Sequence, residues 1–170
     1  MSANDIIMGA RVAHVRELKA EIARLREENT RLRNECESMH AHFDIALLAA
    51  GDLRALPPDG RLEIWDGWNL VLGAKKDASS REELVAQAVK RASDDPSLRV
   101  WIVFDGPRES SRTAADGRVR ISYTGGKGPQ RTDRLVVDYV RMAARLGLGA
   151  KVSVHTYDKD FVKQVGRLLS

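Results

Sequence analysis

The sequence has little sulfur chemistry to offer. Among 170 residues there is one cysteine, Cys36, which has no intrachain disulfide partner, and no His/Cys spacing of the kind that holds zinc. No run of about 18 apolar residues occurs, so no membrane-spanning helix is expected. The stretch from Met1 to Met8 lacks the basic start and long apolar run of a secretory signal. A reducing cytoplasm is the expected compartment. The loop Thr124-Gly-Gly-Lys-Gly-Pro-Gln130 lacks the Ser or Thr that must follow the lysine of a nucleotide-binding P-loop, because Gly128 stands there, so NTP binding is rejected. Its glycines and lysine leave open a basic loop touching nucleic acid or a plain linker.

From Arg11 to Phe43 there is neither glycine nor proline, and a seven-residue repeat takes their place. Val15, Leu18, Ile22, Leu25, Asn29, Leu32, Cys36 and Met39 fall at alternating three- and four-residue steps, the seam of a coiled coil. Glu21 with Arg26 and Glu28 with Arg33 are five apart, the spacing that pairs between parallel chains, and Asn29 on the seam fixes register. The sustained repeat favours a parallel homodimeric coiled coil over an amphipathic helix folded against its own domain. About 33 helical residues would reach about 50 Å. Residues 1–49 are therefore expected to form a coiled-coil helix and 50–60, with Pro57 and Pro58, a linker before a domain over 61–170.

Charge divides at the same place. Residues 1–59 hold 8 basic and 10 acidic side chains, net −2, while the remainder holds 20 and 14, net +6. In that basic remainder, apolar strand-like runs lead repeatedly to acids. Leu62-Glu-Ile-Trp65 delivers Asp66, followed by Gly67 and Asn69; Arg99-Val-Trp-Ile-Val-Phe104 leads into Asp105-Gly106; Arg118-Val-Arg-Ile-Ser-Tyr123 precedes a loop and Asp133; Lys151-Val-Ser-Val-His-Thr156 leads into Asp158 and Asp160. Asp66-Gly-x-Asn on its own can be a simple turn. In an open parallel sheet, however, such strand ends share one edge, outside which ligands bind.

Between the first two strands, Ser79-Ser80-Arg81-Glu82-Glu83 has capping-box spacing, with Leu84, Val85, Ala88, Val89 and Ala92 as the helix's apolar face. Asp94-Asp95-Pro96 ends that helix at the opposite edge. The polar segment 107–118 is expected to be a mobile loop or short helix, with Asp116-Gly117 a turn. Thr132 is expected to cap a helix carrying Asp133 in its first turn and packing Leu135, Val136, Tyr139, Val140, Ala143 and Leu146 inward, with Gly147 ending it. Either Asp158 or Asp160 can cap a closing helix of Phe161, Val162, Val165, Leu168 and Leu169. A long helix followed by strand-and-helix units predicts a three-layer α/β/α domain with a mostly parallel sheet.

Taken in order, these stretches resemble the NYN domain of the PIN-like nuclease superfamily, especially its YacP-type branch, over about residues 61–168. Asp66-Gly67-Trp68-Asn69 looks like the family's Asp-Gly-x-Asn, Phe104-Asp105-Gly106 like its second strand end, Thr132-Asp133 like its central acid and Thr156-Tyr157-Asp158 like its closing Thr-x-Asp. Two positions depart from the pattern: Arg134 stands where many relatives carry a second acid, and Tyr157 where a small residue is common. The resemblance implies a metal-dependent ribonuclease in which Asp66, Asp105, Asp133 and Asp158 hold Mg²⁺ or Mn²⁺ while Asn69 and Thr156 orient carboxylates or water. Asp158 is preferred to Asp160 as the ligand on the family pattern.

A basic rim suits the polyanion RNA, and Lys75, Lys76, Arg108, Arg112, Lys127, Arg131 and Arg134, with Arg118 and Arg120, are its expected members. A noncatalytic RNA-binding or scaffold protein whose coil recruits a partner is the alternative of a different class. An aspartyl phosphatase is disfavoured because Asp66-Gly-Trp lacks a second acid two residues after the first.

Overall fold

The computed structural model describes residues 3–73, 78–125 and 131–169, and not the side chains of 3–13, 37–43, 45 and 46. Lys75, Lys76, Lys127 and the loop at 126–130 therefore lie outside the described residues, as does the side chain of Met39. The chain forms two compact units, Met1–Phe43 and Asp44–Ser170. The first is helical from Ala3, the beginning of helix α1, which spans Ala3–Arg54.

The second unit holds a five-stranded sheet. Strand β1 is Arg61–Asp66, β2 Leu98–Phe104, β3 Glu109–Ala114, β4 Val119–Thr124 and β5 Val152–His155. Their spatial order is β3-β4-β2-β1-β5. β1 runs parallel to β2 and to β5, β4 runs parallel to β2, and β3 alone is antiparallel. β1 and β2 are buried on both faces, which is why their apolar runs are continuous rather than alternating.

Helices α2 (Gly67–Leu72) and α3 (Arg81–Asp94) cover one face, while α4 (Arg131–Arg145) and α5 (Lys159–Leu169) cover the other. Strand alternation sorts the core accordingly. Trp65, Leu98, Val100, Ile102 and Phe104 pack with Leu84, Ala88 and Ala92 of α3. Leu62, Ile64, Trp101 and Val103 pack with Val136, Tyr139, Val140, Phe161 and Val165. Three layers and a mostly parallel sheet follow, as the alternation of strand and helix signals predicts.

Three expectations change. The polar segment at 107–118 is no loop or helix but one arm of a β-hairpin: β3 pairs with β4 from Glu109 opposite Thr124 to Ala114 opposite Val119. Its turn carries Ala115, Asp116 and Gly117 at positive φ, so Asp116-Gly117 is a turn as expected. Almost every β3 side chain is exposed, and an outer strand with no buried face shows no apolar alternation to read.

The expected linker also differs. α1 continues to Arg54, and Ala49 and Leu53 are buried in the core beside α4. Asp52 accepts a hydrogen bond of 2.6 Å from Arg120 Nη1 and forms an ion pair with its other nitrogen, and Tyr139 Oη donates to the same carboxylate at 3.3 Å. Pro57 and Pro58 follow the helix as expected, but the boundary of the compact unit is at Asp44.

The helix ends follow local rules with two exceptions in burial. Ser80 caps α3 by accepting from Glu83 N at 3.2 Å, while Glu83 reaches back to Ser79 N at 2.7 Å. Asp95 ends α3 and pairs with Arg61 at 2.6 Å, at the strand edge away from Asp66. Gly147, at positive φ, closes α4. Leu146 and Val162, expected inside, are exposed.

Candidate active site

Because β1, β2, β4 and β5 are parallel, their carboxyl ends lie along one edge. Asp66 is the last residue of β1 and pairs in register with Val103, so Asp105 begins the loop two residues beyond its neighbour. Thr124 ends β4, Thr156 follows β5, and α4 returns across the other face with Asp133 in its first turn. Asp66, Asp105, Asp133 and Asp158 line one pocket of about 370 Å³ together with Trp68, Asn69, Leu72, Gly73 and Thr132.

Each carboxylate is held differently. Asp66, buried, caps the short α2 helix by accepting from Asn69 N at 3.3 Å, and its other oxygen accepts from Thr156 Oγ1 at 3.1 Å. Asp105 Oδ1 accepts from Thr124 Oγ1 at 3.0 Å and from Thr132 N and Oγ1 at 2.9 and 3.0 Å. Asp158 Oδ1 caps α5, accepting from Asp160 N at 2.9 Å and Phe161 N at 3.0 Å. Asp133 is half-buried on α4. Asp160 is exposed and faces Lys163 at 3.6 Å, so Asp158 both caps the helix and lines the pocket.

The neighbouring residues lock this edge. Asn69 Oδ1 accepts from Tyr157 N at 2.6 Å, tying α2 to the turn after β5, and Thr156 Oγ1 also accepts from Asp158 N at 3.2 Å. Trp68 Nε1 donates to the Asp105 carbonyl at 2.7 Å, with its ring edge-on to Phe104 at 5.1 Å. Gly67 is required by packing: a Cβ there would collide with the Phe104 ring. Gly73 likewise leaves room for the Asn69 carbonyl and the Tyr157 ring.

Burial is the main cause raising the proton affinity of Asp66, and the charges of Asp133 and Asp105 add to it; the donors Asn69 and Thr156 oppose the rise. Asp133 is raised by burial first, then by the charges of Asp158 and Asp105. Carboxylates on four separate segments therefore sense one another electrostatically.

Among the described residues, no group of three or more His, Cys, Asp or Glu side chains stands in position to hold one metal ion. The donor set is nevertheless all oxygen and acidic, which suits a hard divalent cation, and each carboxylate has more lone pairs than the hydrogen bonds it accepts. A cation would offset the repulsion that raises Asp66 and Asp133. The donor chemistry suits such an ion, while the described side chains as placed form no complete set of ligands around one centre.

The expected basic rim is uneven. Arg131 and Arg134 flank Thr132 and Asp133 on α4, and Arg108 follows Asp105 in the loop. Arg112 lies mid-strand on β3 opposite Ile121. None of these four lines the pocket. Arg118 and Arg120, also expected there, are structural instead: Arg118 donates to the Ala92 carbonyl at 2.7 Å, and Arg120 holds Asp52. Both sit towards the amino end of β4, remote from its carboxyl end.

The role of one site residue and the whole of another escaped the sequence. Thr132 is not the cap of α4 but lies within the helix, buried, with backbone and side chain both donating to Asp105. Thr124 adds a third donor to the same oxygen. A threonine ending a strand carries no distinctive signal; only the pairing of β2 with β4 brings it to Asp105.

No protein-family model matches the chain, and no curated protein or solved structure matches it significantly.

Proposed function

We propose that this protein is a metal-dependent ribonuclease that hydrolyses RNA phosphodiester bonds at Asp66, Asp105, Asp133 and Asp158 with Mg²⁺ or Mn²⁺. The observation carrying this reading is that these four carboxylates, from four separate chain segments, line one pocket at the carboxyl edge of a parallel sheet. The order of the Asp-Gly-x-Asn, Phe-Asp-Gly, Thr-Asp and Thr-x-Asp stretches supports it through the resemblance to NYN nucleases.

The four aspartates would hold the cation. A divalent ion bound there supplies a more acidic water and neutralises charge developing on the phosphate and leaving oxygen. The chain's own residues set the orientation. Thr156 and the Asn69 backbone fix the plane of the Asp66 carboxylate, and Thr124 and Thr132 fix Asp105. Asn69 orders the edge through Tyr157 N. Arg131 and Arg134, beside Asp133 on α4, would contact RNA phosphates, as would Arg108 in the loop after β2.

The test is cleavage of end-labelled RNA by the purified full chain with Mg²⁺, Mn²⁺ or chelator. Turnover with metal, abolished by chelator and reduced on the order of 10²-fold or more in Asp66→Asn, is expected. Metal-independent turnover, or full activity in that variant, would exclude this mechanism. A second reading is noncatalytic RNA binding on the same fold, favoured by the internal hydrogen bonds that already occupy Asp105 Oδ1 and Asp158 Oδ1. RNA retention without turnover in either metal would select it.

A further inference from the structure

The first compact unit, Met1–Phe43, is helical from Ala3, and among its described residues there is no second element beside the helix. A lone helix in water draws little stability from propensity and normally depends on burying an apolar face. Here that face is uncovered: Val15, Leu18, Ile22, Leu25 and Leu32 are each 48–50% exposed, and Asn29 and Cys36 on the same seam are exposed too. They form a single heptad seam, with Val15 and Ile22 at the first core position and Leu18, Leu25 and Leu32 at the second. β-Branched residues at the first position with leucine at the second favour two strands over three or four.

The charges beside the seam select the occupant and its direction. The positions preceding Ile22, Asn29 and Cys36 hold Glu21, Glu28 and Glu35; the positions following Leu18, Leu25 and Leu32 hold Lys19, Arg26 and Arg33. In a parallel, in-register pair of identical helices Glu21 meets Arg26 of the other copy, and Glu28 meets Arg33. In an antiparallel pair acid would face acid and base would face base. The structure adds a feature the linear pattern does not contain. Arg24 bonds Glu21 at 2.7 Å and approaches Glu28 at 3.6 Å, while Arg31 approaches Glu35 at 3.9 Å. Basic residues on the outer surface thus hold the glutamates of the seam's acidic flank in place within each chain.

We infer that the exposed seam of Val15, Leu18, Ile22, Leu25 and Leu32 docks a second copy of this chain as a parallel two-stranded coiled coil, its register set by Asn29 and its direction by acidic and basic flanks. The inference is independent of the nuclease reading.

Sedimentation equilibrium of the full-length protein at micromolar concentration should give twice the chain mass of 18.9 kDa. Treatment with diamide, which takes up the two hydrogens lost when two thiols join, should link Cys36 to Cys36 in that dimer. A chain that sediments as a monomer, trimer or tetramer, or a dimer that does not cross-link, would overturn the inference.

Charge reversal tests direction separately. Glu21→Arg/Glu28→Arg and Arg26→Glu/Arg33→Glu should each self-associate at least about tenfold more weakly, and their equimolar mixture should recover as a heterodimer. Self-association of either variant as strong as that of the wild type, or no recovery on mixing, would count against it. All three tryptophans, Trp65, Trp68 and Trp101, lie in the second unit, so unchanged tryptophan fluorescence shows that these variants keep that unit folded. The wild-type mass and cross-link decide the matter without reference to the variants.

Discussion

Asp66 and Asp133 carry a cost in the folded protein that a bound cation would offset. Burial and neighbouring carboxylates raise both above the usual carboxylate range, so the native state binds their protons more tightly than the unfolded chain does. Stability linked to these groups is therefore greatest below the unfolded pKa and falls as pH rises through the raised folded value. Asp133→Asn removes one contributor without removing a hydrogen bond seen among the described side chains. At pH 7 without divalent cation it should stabilise by about 0.5–2 kcal/mol, with a Tm rise of ~2–4 °C per kcal/mol. Thermal denaturation should show this gain shrinking as pH is lowered through the carboxylate range, and Mg²⁺ raising the Tm of wild type more than that of the variant. Equal Tm values at every pH would contradict the electrostatic account.

Gly67 provides a second test at this scale. The sequence offers it as a place for the chain to turn after a strand, whereas the structure requires it because the Phe104 ring occupies the space of a side chain. Gly67→Ala forces that ring or the start of α2 to move and should cost about 1–3 kcal/mol in urea denaturation. A neutral effect would mean that the ring moves aside freely. A third residue, Glu63, is buried on β1, and burial alone would oppose its ionisation. Hydrogen bonds from Arg91 and Trp65 and the charge of His155 outweigh that and hold its carboxyl below the usual range. Its stabilising contribution is present above the unfolded pKa and is lost as pH falls through the folded value.

At the scale of elements, the end of α1 shows why a boundary inferred from prolines can fall in the wrong place. Pro57 and Pro58 correctly stop the helix, but the stretch before them reads as spacer because its polar members have no visible partners in sequence. Asp52 finds them 68 and 87 residues away in Arg120 and Tyr139. Burial first, and then the Asp52 charge, push the Tyr139 hydroxyl well up, keeping it a donor. Asp52→Ala should destabilise the second unit by about 1–3 kcal/mol and speed amide exchange over 47–54, since it leaves Arg120 and Tyr139 without this acceptor. Unchanged exchange there would show that Ala49 and Leu53 hold the helix end unaided. The β3–β4 hairpin teaches a related lesson: a strand with no buried face carries no apolar period, so only pairing with β4 identifies it.

Across the whole molecule, protons and cations are expected to compete for the same edge. Under the proposed nuclease reading, activity should decline as pH falls through a range above that of ordinary carboxylates, because Asp66 and Asp133 are both raised. Raising Mg²⁺ should move the midpoint of that decline to lower pH. The measurement is kcat/KM against pH at two Mg²⁺ concentrations; a midpoint indifferent to the ion would separate the titration from metal binding.

Local pattern was enough for much of this protein. Continuous apolar runs identify β1 and β2 because both faces of these central parallel strands are buried, β4 and β5 show apolar alternation with one less buried face, and the periodicity of α3, α4 and α5 records which side of each helix meets the sheet. The order of acids following the strands likewise marks Asp66, Asp105, Asp133 and Asp158 as candidates. Only the folded chain decided that Thr132 serves Asp105, that Arg120 belongs to Asp52 rather than to the pocket rim, and that 109–114 is a strand. Those facts rest on partners distant in sequence, and a hydrogen bond or an outer-strand pairing leaves no periodic trace in either residue that makes it.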